Sequence, residues 1–268
     1  MQNNIPKIIH YCWFGDNEQT ELVKKCIESW KKYLPDYKIR EWNNSDLQSC
    51  NVKYVLDAIK EKKWAFVSDY FRLYALFTEG GIYFDSDNEV FKSFDEFLDL
   101  DFFTGYEKYQ KDIHSFTAVV GAKKENHIIK DLLDEYNDAS FYMEDGDLNL
   151  LTNTQRVENY FKNNYNLYPP FNPNKKVVLE KNSILFPANY FCEYDPDISF
   201  AVHHFNGSWV PNLRGKKRYY FFKKLYFKVY TIKKGCFFDE IKNIKEIPIF
   251  AYPRIGKRNV VIAIGYKE

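Results

Sequence analysis

Residues 64–90 read WAFVSDYFRLYALFTEGGIYFDSDNEV. Residues 64–77 are apolar on nearly every side, and among them the only charges are Asp69 and Arg72. Gly80-Gly81 stands where a helix C-cap belongs. Residues 82–84 are then a short apolar run of strand type, ending at Asp85-Ser86-Asp87. The spacing predicts a buried helix, a glycine stop, a buried strand and two carboxylates at the strand's carboxyl end. Ligands of α/β sheets bind at such ends. Asp85 and Asp87 can share one divalent cation, because hard cations take oxygen ligands and one or two carboxylates plus phosphate oxygens suffice. Asp69 and Arg72, three apart, share a helix face. Inside an apolar helix these charges need partners: each other, if their role is structural, or a ligand. A sugar hydroxyl or ribose suits Asp69, and a sugar hydroxyl or phosphate suits Arg72.

Outward from this segment, helices and strands alternate. Strands are expected at 8–14, 37–42, 102–105, 116–121, 184–186 and 200–205, and helices at 21–33, 52–62, 128–136 and 154–161. The alternation predicts an α/β fold with helices on both faces of one sheet. Asp145-Gly146-Asp147 repeats the acid spacing but lacks a preceding apolar strand, so it reads as a solvated turn. Past Pro211 the texture changes. Residues 214–234 hold nine Lys or Arg, seven Tyr or Phe and no acid. The boundary is placed there: 1–212 as the catalytic core, 213–268 as an extension.

Composition narrows the class. Of 268 residues, 45% are hydrophobic and 28% charged, which favours a packed core over disorder. The net charge of +1 gives no overall pull toward nucleic acid. The 24 Phe and 22 Tyr exceed ordinary core needs, so some are expected in a groove or at a surface that meets sugar or lipid. Five scattered cysteines without a CxxC pair suggest free thiols in a reducing cytosol rather than zinc ligands or a disulfide framework. The opening residues lack a secretory pattern, and no run approaches the ~20 apolar residues of a membrane span.

Three separated motifs resemble one family. Ser68, Asp69, Arg72, Gly80, Gly81, Tyr83, Asp85 and Asp87 match the SDxxR…GGxYxDxD signature of the family-32 glycosyltransferases. Their donor site is similar in motif to that of the large clostridial glucosylating toxins. Ile5-Pro6-Lys7-Ile8-Ile9-His10 with Cys12-Trp13-Phe14-Gly15 resembles the family's first strand. His203-His204-Phe205-Asn206-Gly207-Ser208-Trp209 resembles the end of its core. The resemblance covers roughly residues 5–210. It implies a GT-A fold with a mixed, mostly parallel sheet, a nucleotide-sugar donor (a UDP-sugar), a divalent metal on Asp85 and Asp87, and retention of configuration. It also implies that Trp13 stacks on the base and that Ser86, Ser208 and Trp209 meet the donor. His204, three residues before Gly207, is favoured over His203 as a third metal ligand, and an imidazole suits Mn2+ better than Mg2+. At 151–155, LTNTQ stands where many relatives carry Thr-Gly-Pro, so nothing is carried over to that loop.

These readings predict a hexosyltransferase acting on a saccharide or lipid-linked saccharide, in capsular or surface polysaccharide synthesis. It would be cytoplasmic, peripheral at the inner membrane face. The 214–234 segment reads either as a helical appendage with its lysines in water or as an element for an anionic membrane surface. A nucleic-acid partner is not expected. Two rival functions remain: a metal-dependent phosphohydrolase, which would want ligands for two metals, and a non-catalytic sugar-binding module, which would want no metal–diphosphate site.

Overall fold

The computed structural model describes residues 4–109, 111–116 and 118–206, and beyond them the strand backbone of 218–220, 225–233, 247–253 and 258–266. Strand β1 (Ile8–Cys12) is buried over four of its five residues. Helix α1 (Glu21–Tyr33) starts at Thr20, whose hydroxyl accepts the Val23 N–H, and buries Val23, Cys26 and Trp30 along one stripe. Strand β2 (Lys38–Trp42) follows. Helix α2 (Lys53–Lys60) leads to α3 (Trp64–Glu79), which Gly80 ends. Strand β3 (Gly81–Phe84) is buried at every residue. Next come β4 (Asn88–Val90), β5 (Phe102–Gly105), the hairpin of β6 (Glu107–Tyr109) and β7 (Asp112–His114), and β8 (Val119–Ala122). Helices α4 (His127–Asp138) and α5 (Asn153–Tyr165), strands β9 (Val177–Glu180) and β10 (Ser183–Phe186), the short α6 (Ala188–Phe191) and β11 (Ala201–His203) complete this part.

Seven strands form one sheet in the order β2-β1-β3-β8-β5-β10-β9. Five run one way; β8 and β9 run the other. This is the mixed, mostly parallel sheet that the family resemblance implies. Strand alternation fills both faces. Ile9, Tyr11, Ile82, Phe84, Phe103 and Val119 pack toward α1 and the phenylalanines around Phe94 and Phe191. Tyr83, Phe102, Val120 and Ala122 pack toward α2, α3, α4 and α5. Because β1, β3 and β5 run in the same direction, their carboxyl ends share one edge. Trp13, Asp85 and Tyr106-Glu107 follow those ends directly.

The α3–β3 corner is tight. Gly81 has φ +113°, and a Cβ there would lie 2.5 Å from the Ile8 carbonyl oxygen, so the position favours glycine twice over. Beneath it lies His10, fully buried. Its Nε2 donates to the Gly80 carbonyl at 2.8 Å, and its Nδ1 accepts from the Trp42 indole at 3.2 Å. A carbonyl can only accept and an indole N–H can only donate, so the ring is neutral with its proton on Nε2.

The chain divides into two compact units, Met1–Asn206 and Gly207–Glu268. In the second, β12 (Arg218–Tyr220), β13 (Leu225–Lys233), β14 (Ile247–Pro253) and β15 (Arg258–Tyr266) form an antiparallel sheet in the order β12-β13-β15-β14. The helical reading of 214–234 therefore gives way to strands where that stretch is described. Among the described residues no helix is long and apolar enough to cross a membrane.

Burial holds the His10 pKa down from 6.5 to about 4. The unfolded chain therefore takes up a proton first. This contribution to stability is whole above about pH 6.5 and falls as the pH drops toward 4, by up to ~3 kcal/mol. Imidazole nitrogen resonances should show His10 neutral, with Nε2 protonated, at pH 5.5. A ring that titrates near its ordinary pKa would contradict this packing.

Candidate active site

Helix α3 buries Val67, Tyr70, Phe71, Leu73, Ala75 and Leu76, so Asp69 and Arg72 have little access to water. Arg72 Nη2 lies 3.2 Å from Asp69 Oδ1 and 3.1 Å from Asp85 Oδ1. Its guanidinium sits over the Tyr83 ring, 4.7 Å from the centroid. The three side chains are 11%, 14% and 26% exposed for Arg72, Asp69 and Asp85, so one shared cation offsets two buried carboxylates. Such a group is costly to break, because the remaining charges would be left uncompensated.

Asp69 has a second support, from α5. The Asn153 backbone N–H donates to Asp69 Oδ2 at 3.3 Å, and Asn153 Nδ2 donates to the Asp69 carbonyl at 3.1 Å. Asn153 opens α5, where Thr152 and Gln155 form a reciprocal capping box. A carboxylate at a helix N-terminus is favoured by the helix dipole. Burial nevertheless pushes the Asp69 pKa up to about 6, with Arg72 and the Asn153 N–H acting against that rise. The 151–155 loop, where the family resemblance lapses, is thus the segment that holds Asp69. The T-x-x-Q capping signature was the available signal for a helix start there.

The strand-end carboxylates sit on a tight turn closed by the Asn88 N–H on the Asp85 carbonyl at 2.9 Å. Burial raises the Asp85 pKa, against the pull of Arg72. Asp87 Oδ1 lies 3.3 Å from His203 Nε2, and its Oδ2 accepts the Asn206 N–H at 2.7 Å. His203 Nδ1 in turn lies 3.1 Å from Glu107 Oε2. Burial opposes charge on both partners, yet their mutual bonds win: Asp87 is held below the usual carboxylate range and His203 is raised to about 10.

His204, expected as a third metal ligand, does not join this group by its ring. Its Nε2 bonds Glu89 Oε2 at 2.8 Å, and Glu89 also pairs with Lys25 at 2.8 Å. The cause is strand alternation: β11 pairs with β4 with His203 opposite Asn88, and successive side chains point to opposite faces. Ser86 is half-buried on the turn. Trp13 is half-buried, and its indole donates to the Asn17 carbonyl at 2.8 Å. Ser208 and Trp209 lie outside the described residues. Asp145–Asp147 is an exposed turn, as expected, with the Asp147 N–H on its own neighbour Asp145.

Among the described residues no three His, Cys, Asp or Glu side chains converge as a ready metal centre. Two carboxylates share one turn, an imidazole touches one of them, and each is neutralised by a protein cation. This donor set fits a divalent cation that arrives with a diphosphate and completes its shell with phosphate oxygens. Asn153, His203 and Glu107 are the site residues that sequence reasoning left out or ranked second. Glu107 is recognisable only as the first acid past the carboxyl end of β5.

Residues 20–104 match the family model for the glycosyltransferase sugar-binding region containing a DXD motif. A comparison with curated protein sequences finds no match. Among solved structures, the chain is similar to the PaToxG glycosyltransferase at 24% identity and a TM-score of 0.46, over 59% of this chain and 69% of that one. It is also similar to a glycosyltransferase involved in the glycosylation of the major capsid of PBCV-1, at 18% identity and 0.42, over 76% and 95%. A bacterial N-acetylglucosamine transferase, NleB, is similar at 13% identity and 0.35, over 63% and 90%. The span of the family model contains Asp69, Arg72, Asp85 and Asp87. Over residues 20–104 the protein is thus similar to the glycosyltransferase sugar-binding region of the DXD type.

Proposed function

We propose that the protein is a metal-dependent GT-A glycosyltransferase that moves a hexose from a nucleotide sugar, a UDP-sugar, to a hydroxyl of a saccharide or lipid-linked saccharide. The observation that carries this is the buried Asp69–Arg72–Asp85 group inside the matched sugar-binding region. Asp69, held from behind by Asn153 and Arg72, would accept hydroxyls of the donor sugar. Arg72 would fix Asp69 in place and face the sugar or phosphate. Trp13 would stack on the base, and Ser86, Ser208 and Trp209 would meet the donor. Asp85 and Asp87 would hold Mn2+, which when bound neutralises charge on the departing diphosphate. Of the two histidines, His203 is the better candidate beside that metal, since its ring is the one on Asp87. The preference for Mn2+ over Mg2+ rests on the family resemblance. Retention of configuration and a role in capsular or surface polysaccharide synthesis rest on the family resemblance and the reading of the extension.

A phosphohydrolase would want a second cluster of ligands, and a sugar-binding module would have no use for two carboxylates on one strand-end turn. The test is nucleotide release from a panel of UDP-sugars. Release should occur with Mn2+ for at least one donor and stop with EDTA. Asp87→Ala should lower it at least about a hundredfold. Release that survives both EDTA and Asp87→Ala would overturn the proposal.

The second unit supports a peripheral place on an anionic membrane. The first 206 residues carry 23 Lys and Arg against 33 Asp and Glu, whereas 207–268 carry 15 against 4. The small overall charge conceals this division. A cationic unit suits anionic lipid, with each Lys or Arg near the surface contributing ~1 kcal/mol. The full chain should float with vesicles containing phosphatidylglycerol, and 0.5 M salt should release it. Equal flotation with neutral phosphatidylcholine vesicles would rule out the electrostatic part.

A further inference from the structure

Three acidic or imidazole groups stand in line behind the DXD turn: Asp87, His203 and Glu107. They come from three separate places in the chain. Asp87 follows β3, His203 ends β11, and Glu107 opens β6 just past β5. Parallel β3 and β5 flank β8, so their carboxyl ends lie about two strand spacings, roughly 10 Å, apart along one edge. His203 spans that gap. Its Nε2 is 3.3 Å from Asp87 Oδ1 and its Nδ1 is 3.1 Å from Glu107 Oε2.

The line is built rather than incidental. Asp87, His203 and Glu107 are 12%, 11% and 17% exposed. The His203 ring packs on Phe205 with centroids 4.0 Å apart. Glu107 has little freedom either. The preceding Tyr106 is buried and donates its N–H to the Phe186 carbonyl at 2.9 Å. The following Lys108 donates its N–H to Cys192 Sγ and pairs with Glu193 at 2.9 Å. On the opposite strand, His114 bonds Glu158 of α5 at 3.0 Å. The hairpin is therefore pinned on both sides, and Glu107 is presented to one imidazole nitrogen.

A carboxylate that holds one nitrogen of an imidazole fixes the ring plane and the aim of the other nitrogen. Where the second nitrogen orients a carboxylate that ligates a metal, such outer partners typically change metal affinity 10- to 100-fold. We propose that Glu107 is a positioning residue: it holds His203 against Asp87 and thereby sets the geometry of the DXD turn and its affinity for a divalent cation. This deepens the proposed function, since it rests on Asp85 and Asp87 being the cation site.

Two readouts on the purified full-length protein test the inference without any turnover. The first is Mn2+ affinity, from the free-ion electron paramagnetic resonance signal, for wild type, Glu107→Gln and Glu107→Ala. The second is the Asn206 backbone amide resonance in metal-free protein, because that N–H is bonded to Asp87 Oδ2. Glu107→Gln keeps an acceptor for His203 Nδ1 and should stay within about threefold of wild type with the Asn206 amide in place. Glu107→Ala should weaken Mn2+ binding about 10- to 100-fold and move the Asn206 amide. An alanine variant with wild-type affinity and an unmoved Asn206 amide overturns the inference. If wild type takes up no Mn2+, the metal reading fails, and the amide alone decides whether Glu107 positions Asp87.

Discussion

A guanidinium and two carboxylates cannot be withdrawn from water separately; together they can. Arg72 meets Asp69 on its own helix and Asp85 just past the next strand, so one cation serves both. The requirement reaches outward. Helix α3 must stop abruptly, which Gly80 and Gly81 allow. Strand β3 must run straight back beneath it, which the His10 bonds to Gly80 and Trp42 secure. Tyr83 must place its ring under the guanidinium. The DXD turn is thus the far end of a chain of constraints that begins in the apolar helix.

A second cation repeats the pattern at the other acid of the turn. Asp87 is matched by His203, and His203 by Glu107, so the metal-free turn carries two carboxylates already neutralised by the protein. Under the proposed function, a divalent cation entering here with a diphosphate would take the place of Arg72 at Asp85 and bring its own counter-charge in the phosphates, while His203 keeps its hold on Asp87. That exchange would couple metal and donor binding. It also gives a physical reason why a site with two carboxylates can do without a preformed cage.

Much of this was legible in the sequence, and what was not has identifiable causes. Helix α1 falls on the predicted 21–33 because Thr20 caps it and Pro35 follows closely. The α3–Gly-Gly–β3 unit was legible from its apolar run and its punctuation. Strands β4, β6 and β7 were not, since three residues carry no period. The choice between His203 and His204 was a question of register, and register depends on pairing with β4, which composition does not announce. Asn153 was hidden for a different reason. Its contribution comes from being the first residue of a capped helix, and the absence of the family's usual loop drew attention away from the cap that replaced it.

The most direct test is anomalous scattering at the manganese edge from crystals grown with UDP and Mn2+. A manganese peak at the Asp85–Asp87 turn, with the Asp69–Arg72 pair still in place on α3, is the predicted result. Manganese bound elsewhere, with Arg72 still on Asp85 while UDP occupies its site, would contradict the account at its centre.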